Sequence, residues 1–191
     1  MYLLLLILKY KPVYMRLIFI LLASFFFSAT FGQVPSASKI MNQARTEASA
    51  SGKNIFIIFH ASWCIWCHRM DSAMNEPEMK PLFEKNYIIK HLTVLESDNK
   101  KNLENPGAEE MLNEYHGKDQ GIPFWLVFDK NGKLLADSRI PNPDGSGGSN
   151  TGCPAQPDEV AYFIKVLKNT SSLKDLELNR IKTRFLRIGE R

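Results

Sequence analysis

Two cysteines separated by two residues are the part of this sequence best suited to chemistry. They are Cys64 and Cys67, with Trp63 before the pair, Trp66 inside it and His68 directly after it. Two thiols at this spacing can close a small disulfide, hold a metal ion or a haem, or exchange electrons with the thiols of another protein. The elements on either side of the pair decide between these chemistries.

An apolar run precedes the pair and a helix-compatible run follows it. Residues 54–59 are mostly apolar and have the length of a central strand that is covered on both faces. The helix that starts at Cys64 is expected to be interrupted around Pro77 and to end near Pro81. A strand that leads into a CxxC pair at the start of a helix is typical of a dithiol redox site.

The other elements follow from periodicity and from the positions of Gly and Pro. Residues 129–132 (Asp-Lys-Asn-Gly) are a strong hairpin-turn signal, and residues 141–157 are too rich in Gly and Pro for regular structure. The alternation of helices and strands predicts an α/β fold with a central mixed sheet flanked by helices on both faces. We expect further helices at 36–50, 108–116, 158–168 and 171–187, and further strands at 87–95, 124–128 and 133–137.

The N-terminal segment has the pattern of an export signal. Arg16 precedes a long apolar stretch, and small residues suited to a cleavage site fall at Thr30 and Gly32. An uncleaved membrane anchor is the alternative, because this stretch is almost entirely apolar. The expected segments are a signal peptide with an upstream extension at 1–32 and a single domain at 33–191, with a core at 38–168 and a C-terminal helical extension at 171–191.

The net charge and the number of cysteines limit the classes of function that the chain can have. Cleavage would remove Lys9, Lys11 and Arg16 and no acid, which lowers the formal net charge from +4 to +1. The mature domain then has no basic excess that would indicate nucleic-acid binding. Export would place it where disulfides persist. If the two cysteines of the CxxC motif pair with each other, Cys153 is left as an unpaired thiol in a loop.

Two separate signatures resemble those of the thioredoxin superfamily. One is the Trp-Cys-x-x-Cys motif at 63–67 after a strand, and the other is Gly121-Ile122-Pro123 directly before a strand. In that superfamily the proline is cis and lies beside the CxxC pair. The resemblance covers roughly residues 38–168. More narrowly, the chain is similar to exported single-domain members and to the C-terminal domain of the transmembrane thiol:disulfide interchange protein, including at Met70-Asp71.

The resemblance implies an enzyme that exchanges disulfides with other proteins and that needs no cofactor and no metal. Cys64 would be the nucleophile, because unpaired N–H groups and the positive end of the dipole at a helix N-terminus lower the pKa of a thiol. Cys67, one turn further in, would resolve the mixed disulfide between Cys64 and the substrate. A thiolate rather than a thiol carries out each attack.

The resemblance also assigns substrate contacts. The backbone at Ile122 and Pro123 would pair with an extended segment of the substrate, while Trp63 and Trp66 would flank the exposed sulfur as an apolar docking surface. His68 lies four residues after the first cysteine, on the same helix face. It either tunes the thiolate or is a solvated helix residue.

Departures from the superfamily pattern bear on the direction of the redox reaction and on the proteins that take part in it. Ile58 stands where the superfamily often has a buried Asp, and the dipeptide Ile65-Trp66 contains no His that would stabilise the reduced form. We therefore expect a disulfide reductase or isomerase rather than a strong oxidant. Its partners would be proteins that carry disulfides and a membrane-bound or soluble thiol electron donor, since the sequence has no NADPH or flavin motif. Membrane contact is expected only through an uncleaved N-terminal segment.

Three other interpretations remain open. Residues 64–68 also match the C-x-x-C-H pattern of c-type haem attachment, although the preceding strand and the Gly-Ile-Pro signature argue against haem. The two cysteines with His68, and with His60 as a further ligand, could hold zinc or Cu(I), but adjacent helix residues diverge by about 100°. A thioredoxin-fold binding module with an inactive disulfide is the third, and Ile58 favours it.

Residues outside the motif receive structural interpretations. Trp125 is expected in the core, because it lies in a continuous apolar strand run. His91 and His116 are expected at the surface or in loops without partners. The basic residues of the last predicted helix alternate with apolar and acidic ones, which is typical of a solvated helix face.

Overall fold

The apolar run that precedes the cysteine pair forms a central strand. In the computed structural model, which describes residues 33–190, strand β1 (Asn54–His60) lies between β2 (Tyr87–Thr93) and β3 (Phe124–Phe128). It pairs parallel with β2 and antiparallel with β3. Strand β4 (Leu134–Asp137) pairs antiparallel with β3 and completes the order β2-β1-β3-β4. The predicted mixed sheet is confirmed.

Both faces of β1 are buried, as its continuous apolar composition predicts. Side chains alternate along a strand, so Phe56 and Ile58 enter one hydrophobic core while Ile55, Ile57 and Phe59 enter the other. Each such side chain contributes roughly 1.5–3 kcal/mol on burial. The segment that carries the cysteine pair therefore leaves a strand that is anchored on both sides.

Helices cover both faces of the sheet, and local signals set their ends. The first helix begins after Ser36, whose hydroxyl accepts a hydrogen bond from the Lys39 amide at 3.3 Å. It ends at Gly52, which adopts a φ of 72° that favours glycine. Within the described residues the helices are α1 (Ala37–Ser51), α2 (Ile65–Asn75), α3 (Lys80–Asn86), α4 (Ala108–Glu114), α5 (Pro157–Thr170) and α6 (Asp175–Leu186), with a 3-10 helix at Asp98–Leu103.

The two cores differ in which helices close them. Helices α1 and α4 pack on one face of the sheet, and α2, α3, α5 and α6 pack on the other. Trp125 of β3 lies in the second core, where its ring is 5.5 Å from that of Phe163. The prediction that helices flank the sheet on both faces is confirmed, and Trp125 lies in the core as expected.

The helical region after the cysteines is divided differently from the prediction. Helix α2 ends at Asn75, and Pro77 lies in the turn that follows. Pro81 does not end a helix, since it lies in the first turn of α3. The first N–H groups of a helix have no intrahelical partner, so a proline there removes no hydrogen bond. The expectation that helical structure ends near Pro81 is wrong for this reason.

The expectation that residues 141–157 lack regular structure is also wrong in part. Strands β5 (Arg139–Pro141) and β6 (Gly148–Asn150) form a short antiparallel hairpin. Gly145 and Gly147 in its turn adopt positive φ values, which glycine allows without steric cost. The same glycines that indicate irregular structure in the sequence are thus the residues that close this hairpin.

One face of the last helix packs into the core. Leu178, Ile181 and Phe185 of α6 are buried, and the Phe185 ring lies 4.9 Å from the Phe163 ring of α5. Arg184, which was expected on a solvated face, binds the carboxylate of Glu76 through Nε and Nη2 at 2.6 Å each. The C-terminal helix therefore closes one of the two cores.

The described part of the chain forms one compact unit from Val34 onward. Within residues 33–190, no helix has both the length and the apolar character needed to cross a membrane. The expected signal or anchor at 1–32 lies outside the described residues and stays a prediction.

Candidate functional site

The two cysteines of the CxxC motif form a disulfide at the N-terminus of α2. Cys64 is the N-cap residue, and its Sγ accepts a hydrogen bond from the backbone amide of Cys67 at 3.1 Å. Only 3% of Cys64 and 1% of Cys67 are exposed. The sulfur of Cys64, which was expected to be exposed, is therefore almost covered in this oxidised state.

The position of Cys64 favours negative charge on its sulfur once the disulfide is reduced. An N-cap side chain faces the unpaired N–H groups of the first helical turn and the positive end of the helix dipole. Cys67 lies inside the helix and is almost fully buried. The two sulfurs are thus chemically unequal although they are joined in one bond.

The second sequence signature lies directly against the first. Cys64 and Ile122 are 58 residues apart in the chain, yet the Sγ of Cys64 is 3.5 Å from the carbonyl oxygen of Ile122. The sulfur has no hydrogen in the disulfide, so it can donate to this carbonyl only after reduction. The Ile122–Pro123 peptide bond is cis. Ile122 also packs against the small cluster of Ala61 and the two cysteines.

A glutamate holds the turn that leads into the pair. Glu96 accepts hydrogen bonds from the Ser62 amide at 2.6 Å and the Ser62 hydroxyl at 2.8 Å. Lys100 donates to the same hydroxyl at 3.2 Å. Burial alone would raise the pKa of the Glu96 carboxyl, but the Ser62 hydrogen bonds and the charge of Lys100 together hold that pKa below its usual value. Glu96 is therefore ionised at neutral pH.

Two ring nitrogens fix the same turn. Trp63 donates from Nε1 to the carbonyl of Leu95 at 2.8 Å, although 58% of its surface is exposed. His68 Nε2 lies 3.0 Å from the carbonyl oxygen of Ser62 and donates to it when that nitrogen carries the proton. The hydrogen-bond partner of His68 is therefore the turn that precedes the cysteines.

Large apolar side chains surround the nearly covered sulfur. Trp63, Ile65 and Trp66 are 58%, 61% and 42% exposed. Arg69 lies over the Trp66 ring, with its guanidinium carbon 4.5 Å from the ring centroid. Exposed apolar groups of this size, side by side, are typical of a surface that another protein covers.

The loop that carries Ile122 is held from its other side by one asparagine. The side-chain amide of Asn150, the last residue of β6, donates towards the carbonyls of Gln120 and Gly121 at 3.1 Å and of Pro123 at 3.0 Å. Its own oxygen accepts the amide of Gly152 at 3.0 Å. Sequence reasoning missed this residue, because it lies in a Gly-rich segment and its partners are about 30 residues away.

A cavity of about 290 Å³ opens between Trp66, the loop that contains Pro123 and the segment after β6. Thr151 lines this cavity, and its buried hydroxyl oxygen has no hydrogen-bond partner among the described residues. The third cysteine, Cys153, lines it as well and is a free, buried thiol. Burial, with a contribution from the charge of Glu159, raises the pKa of Cys153 to about 12.

The histidine before the turn belongs to a polar cluster. His60 Nε2 lies 3.2 Å from the Thr93 hydroxyl, and its ring centroid lies 5.0 Å from that of His91. His91 in turn binds Asp71 at 2.7 Å, so the expectation that His91 lacks a partner is wrong. Burial, followed by the electrostatic effect of the neighbouring His91 ring, lowers the pKa of His60.

The apolar residue at position 58 is part of the core. Ile58 is fully buried in the same cluster as Met70 of α2, so the core beneath this region holds a hydrocarbon side chain where the superfamily often has an acid.

Among residues 33–190, no three His, Cys, Asp or Glu side chains are arranged to hold a metal ion.

The ionised state of Glu96 gives a first prediction. Because folding lowers the pKa of this carboxyl, its stabilisation is present above the unfolded pKa near 4.5 and is lost as the pH falls through the folded value. We expect Glu96→Gln to lower the free energy of unfolding at pH 7 by roughly 1–3 kcal/mol. The difference from the unaltered protein should shrink steadily below pH 4.5. Urea unfolding at several pH values measures both quantities.

Glu110→Gln is the matched control, because this exposed acid of α4 forms no ion pair or hydrogen bond among the described residues. Its free energy of unfolding should follow that of the unaltered protein at every pH. A Glu96→Gln variant that is equally destabilised at pH 7 and pH 3 would contradict the assignment of an ionised carboxylate.

Comparison with known proteins agrees with this geometry. A family model described as Thioredoxin-like matches residues 37–130, which include β1, the CxxC pair and β3. No curated protein sequence matches the chain. The sheet order β2-β1-β3-β4, the CxxC pair at a helix N-terminus and the Ile122–Pro123 loop beside it all lie in or next to the matched range.

Several solved structures are similar to the chain. A disulphide isomerase from Xylella fastidiosa Temecula1 has 20% identity and a TM-score of 0.45, over 58% of this chain and 79% of that one. A thioredoxin from Thermus thermophilus has 20% identity and a TM-score of 0.42, over 67% and 81%. The oxidised DsbD C-terminal domain from Neisseria meningitidis has 17% identity and a TM-score of 0.42, over 73% and 99%. The Thioredoxin-like match over residues 37–130 and the order of its sheet show that this chain has a thioredoxin-like fold.

Proposed function

We propose that this protein is an exported thiol:disulfide oxidoreductase that reduces or isomerises disulfides in other proteins. The observation that carries the proposal is the position of Cys64. Its sulfur caps the N-terminus of α2, is bonded to Cys67 and lies 3.5 Å from the Ile122 carbonyl. A cysteine in such a place is activated as a thiolate and lies next to backbone that can hold a substrate.

The reaction needs only the two thiols of the reduced protein. The Cys64 thiolate attacks one sulfur of the substrate disulfide, so that the substrate S–S bond breaks and its other sulfur leaves as a thiolate that takes up a proton. Cys67, after losing its proton, attacks the sulfur of Cys64 and releases the second substrate thiol. Two electrons pass to the substrate, and the protein is left with the Cys64–Cys67 disulfide that the structure contains.

The backbone at Ile122 is suited to bind an extended substrate segment. Strand β3 begins at Phe124, and the ladder with β1 begins at the Phe59–Phe124 pair. Within the described residues, neither the N–H nor the C=O of Ile122 has a backbone partner. A substrate strand can therefore add its hydrogen bonds at this point, next to the sulfur. Pro123 has no N–H, so the hydrogen bonds to the substrate strand are made by the backbone of Ile122.

The aromatic surface completes the proposed substrate site. Trp63 and Trp66 expose large apolar areas on either side of Cys64. An incoming protein buries these areas and excludes water from the sulfur as it docks. The cavity beside Trp66 gives a side chain of the same substrate a place next to the Pro123 loop.

The proposed role needs an external reductant and a compartment where disulfides form. The sequence offers no NADPH or flavin motif, so a second dithiol protein, membrane-bound or soluble, supplies the electrons that return the pair to the reduced state. The export pattern at residues 1–32 supports an extracytoplasmic location.

Insulin reduction tests the activity directly. We expect the reduced protein, regenerated by dithiothreitol, to accelerate precipitation of the insulin B chain, and Cys64→Ser to abolish the acceleration because the attacking sulfur is gone. Cys67→Ser should instead accumulate a mixed disulfide with the substrate, visible on a non-reducing gel. Glu110→Gln, which changes an exposed acid of α4 on the other face of the sheet, is the control and should retain activity. A folded protein that fails to accelerate insulin reduction would favour the binding-module interpretation.

The direction of the reaction is tested by the reduction potential. The Ile65-Trp66 dipeptide places no imidazole between the cysteines, so it lacks one group that stabilises the reduced form of strong oxidants. We expect equilibration with glutathione or dithiothreitol to give a potential clearly below roughly −150 mV, closer to thioredoxin near −270 mV than to a strong oxidant near −120 mV. A value above roughly −150 mV would exclude a reductase.

Asn150 should position the substrate-binding loop. Its amide is shared by carbonyls of Gln120, Gly121 and Pro123, so Asn150→Ala frees the loop next to the sulfur. We expect kcat/KM for insulin to fall about tenfold, with a smaller loss for hydroxyethyl disulfide, which has no backbone to pair. Asn142→Ala, at the tip of the same hairpin, is the matched control and should change neither rate. Equal losses for the two substrates would indicate a general structural defect.

A further inference from the structure

A second cavity lies on the other side of the cysteine pair, away from the Pro123 loop. It has a volume of about 370 Å³ and lies between α2 and the end of α6. We call it the basic groove and define it by its lining residues, which are Ile65, His68, Arg69 and Ser72 from α2, and Arg184, Arg187 and Ile188 from the C-terminal segment. Its lining contains three arginines and no acid.

The positive charge in the basic groove is not neutralised by the protein itself. Arg184 is occupied by Glu76. Within residues 33–190, no carboxylate lies within ion-pair distance of Arg69 or Arg187. Asp71, the acid within α2, is bound to His91. Two guanidinium groups therefore face the groove without an acidic partner.

The basic groove is continuous with the surface around the attacking sulfur. Ile65 directly follows Cys64, is 61% exposed and belongs both to the apolar surface and to the groove lining. Arg69 lies over the Trp66 ring, so its charge stands next to the same apolar surface. A protein that brings its disulfide to Cys64 and covers Ile65 thereby reaches the mouth of the groove.

From this arrangement we propose that the basic groove selects protein substrates in which Asp or Glu residues lie close to the disulfide cysteine. The inference rests on the proposed function and names the substrate class. Arg69 is five residues after Cys64, which is about 7.5 Å along a helix axis. An extended substrate covers this length in two to three residues at roughly 3.3 Å each. The nearest acidic residue is therefore placed about two to three positions from the attacked cysteine, and because side chains alternate along an extended segment, acids at positions two and four face the same side.

The physical basis is complementary charge at a partly exposed surface. Pairs of this kind contribute little individually, and salt weakens them because the Debye length is about 8 Å at physiological ionic strength. Their main effect is on the rate of productive encounter and on the choice among substrates. The groove is thus expected to change relative rates, while the chemistry at Cys64 is the same for every substrate.

Two peptide disulfides test the proposal. Each is a symmetric dimer of a short peptide with one cysteine, and the two differ only in carrying Glu or Gln at the positions two and four residues from that cysteine. Attack by the reduced protein converts one dimer into two peptide thiols and leaves the Cys64–Cys67 disulfide. At low ionic strength we expect kcat/KM for the Glu dimer to exceed that for the Gln dimer about threefold to tenfold, with the ratio falling towards one in about 0.5 M salt.

Charge-removing variants assign the preference to the groove. Arg69→Gln/Arg187→Gln should bring the ratio of the two rates close to one, and Arg187→Gln alone should lower it partly. Arg187 makes no hydrogen bond or ion pair through its side chain among the described residues, so the single variant should not disturb the fold. Lys165→Gln/Lys182→Gln removes the same net charge from exposed positions of α5 and α6 outside the groove and should retain the ratio.

The outcomes separate the two proposals. Equal rates for the Glu and Gln dimers, or a preference that survives Arg69→Gln/Arg187→Gln, would overturn the basic groove as a selective surface while insulin reduction still supports the oxidoreductase. A preference lost equally in the Lys165→Gln/Lys182→Gln control would reduce it to an effect of net charge, which also overturns the groove. A folded protein that reduces neither dimers nor insulin would contradict the oxidoreductase itself and the groove with it.

Discussion

The hydrogen bonds of Glu96 to Ser62 are the constraint on which the rest of the site depends. β1 ends at His60, and the chain must turn within a few residues so that Cys64 can cap α2. A turn this short leaves backbone donors without partners, and the ionised Glu96 satisfies one of them at 2.6 Å. The carboxylate thereby sets where the chain enters the helix and where the Cys64 sulfur lies. The parallel pairing of β1 with β2 brings Glu96 to this edge, since both strands end there.

How much of this could be predicted from the sequence depends on how local the cause is. The continuous apolar run of β1 and the CxxC pair before a helix are local patterns, and both predict the structure that forms. Glu96 and Asn150 act through partners about 30 residues away, so no spacing in the sequence connects them to the turn or to the loop they hold. The segment around Asn150 looks irregular for a related reason. Its glycines, taken alone, indicate a flexible loop. In the structure they form the turn of a hairpin, and the carbonyls of the Ile122 loop accept the hydrogen bonds of the Asn150 amide at its end.

The surroundings of the sulfur are different on its two sides. On the side of Ile122, the protein has uncharged backbone groups without a backbone partner among the described residues, next to the cavity beside Trp66. Hydrogen bonds of this kind fix the direction of a bound chain but do not depend on its sequence. On the side of Ile65, it offers guanidinium groups, which distinguish side chains by charge. The two proposed roles, pairing with the substrate backbone and selection by charge, thus fall on separate surfaces, and the apolar area of the two tryptophans and Ile65 lies between them.

The different roles that we propose for the two cysteines rest on where the protein can accept negative charge. The N-cap position gives Cys64 a donor at 3.1 Å and the field of the helix dipole, both of which favour a thiolate. Cys67 is almost fully buried among apolar groups, and Ile58 provides no carboxylate in the core beneath it. A low-dielectric surrounding disfavours an anion there. Both differences support the proposed order of attack, in which the first thiolate forms on Cys64, next to the Ile122 backbone.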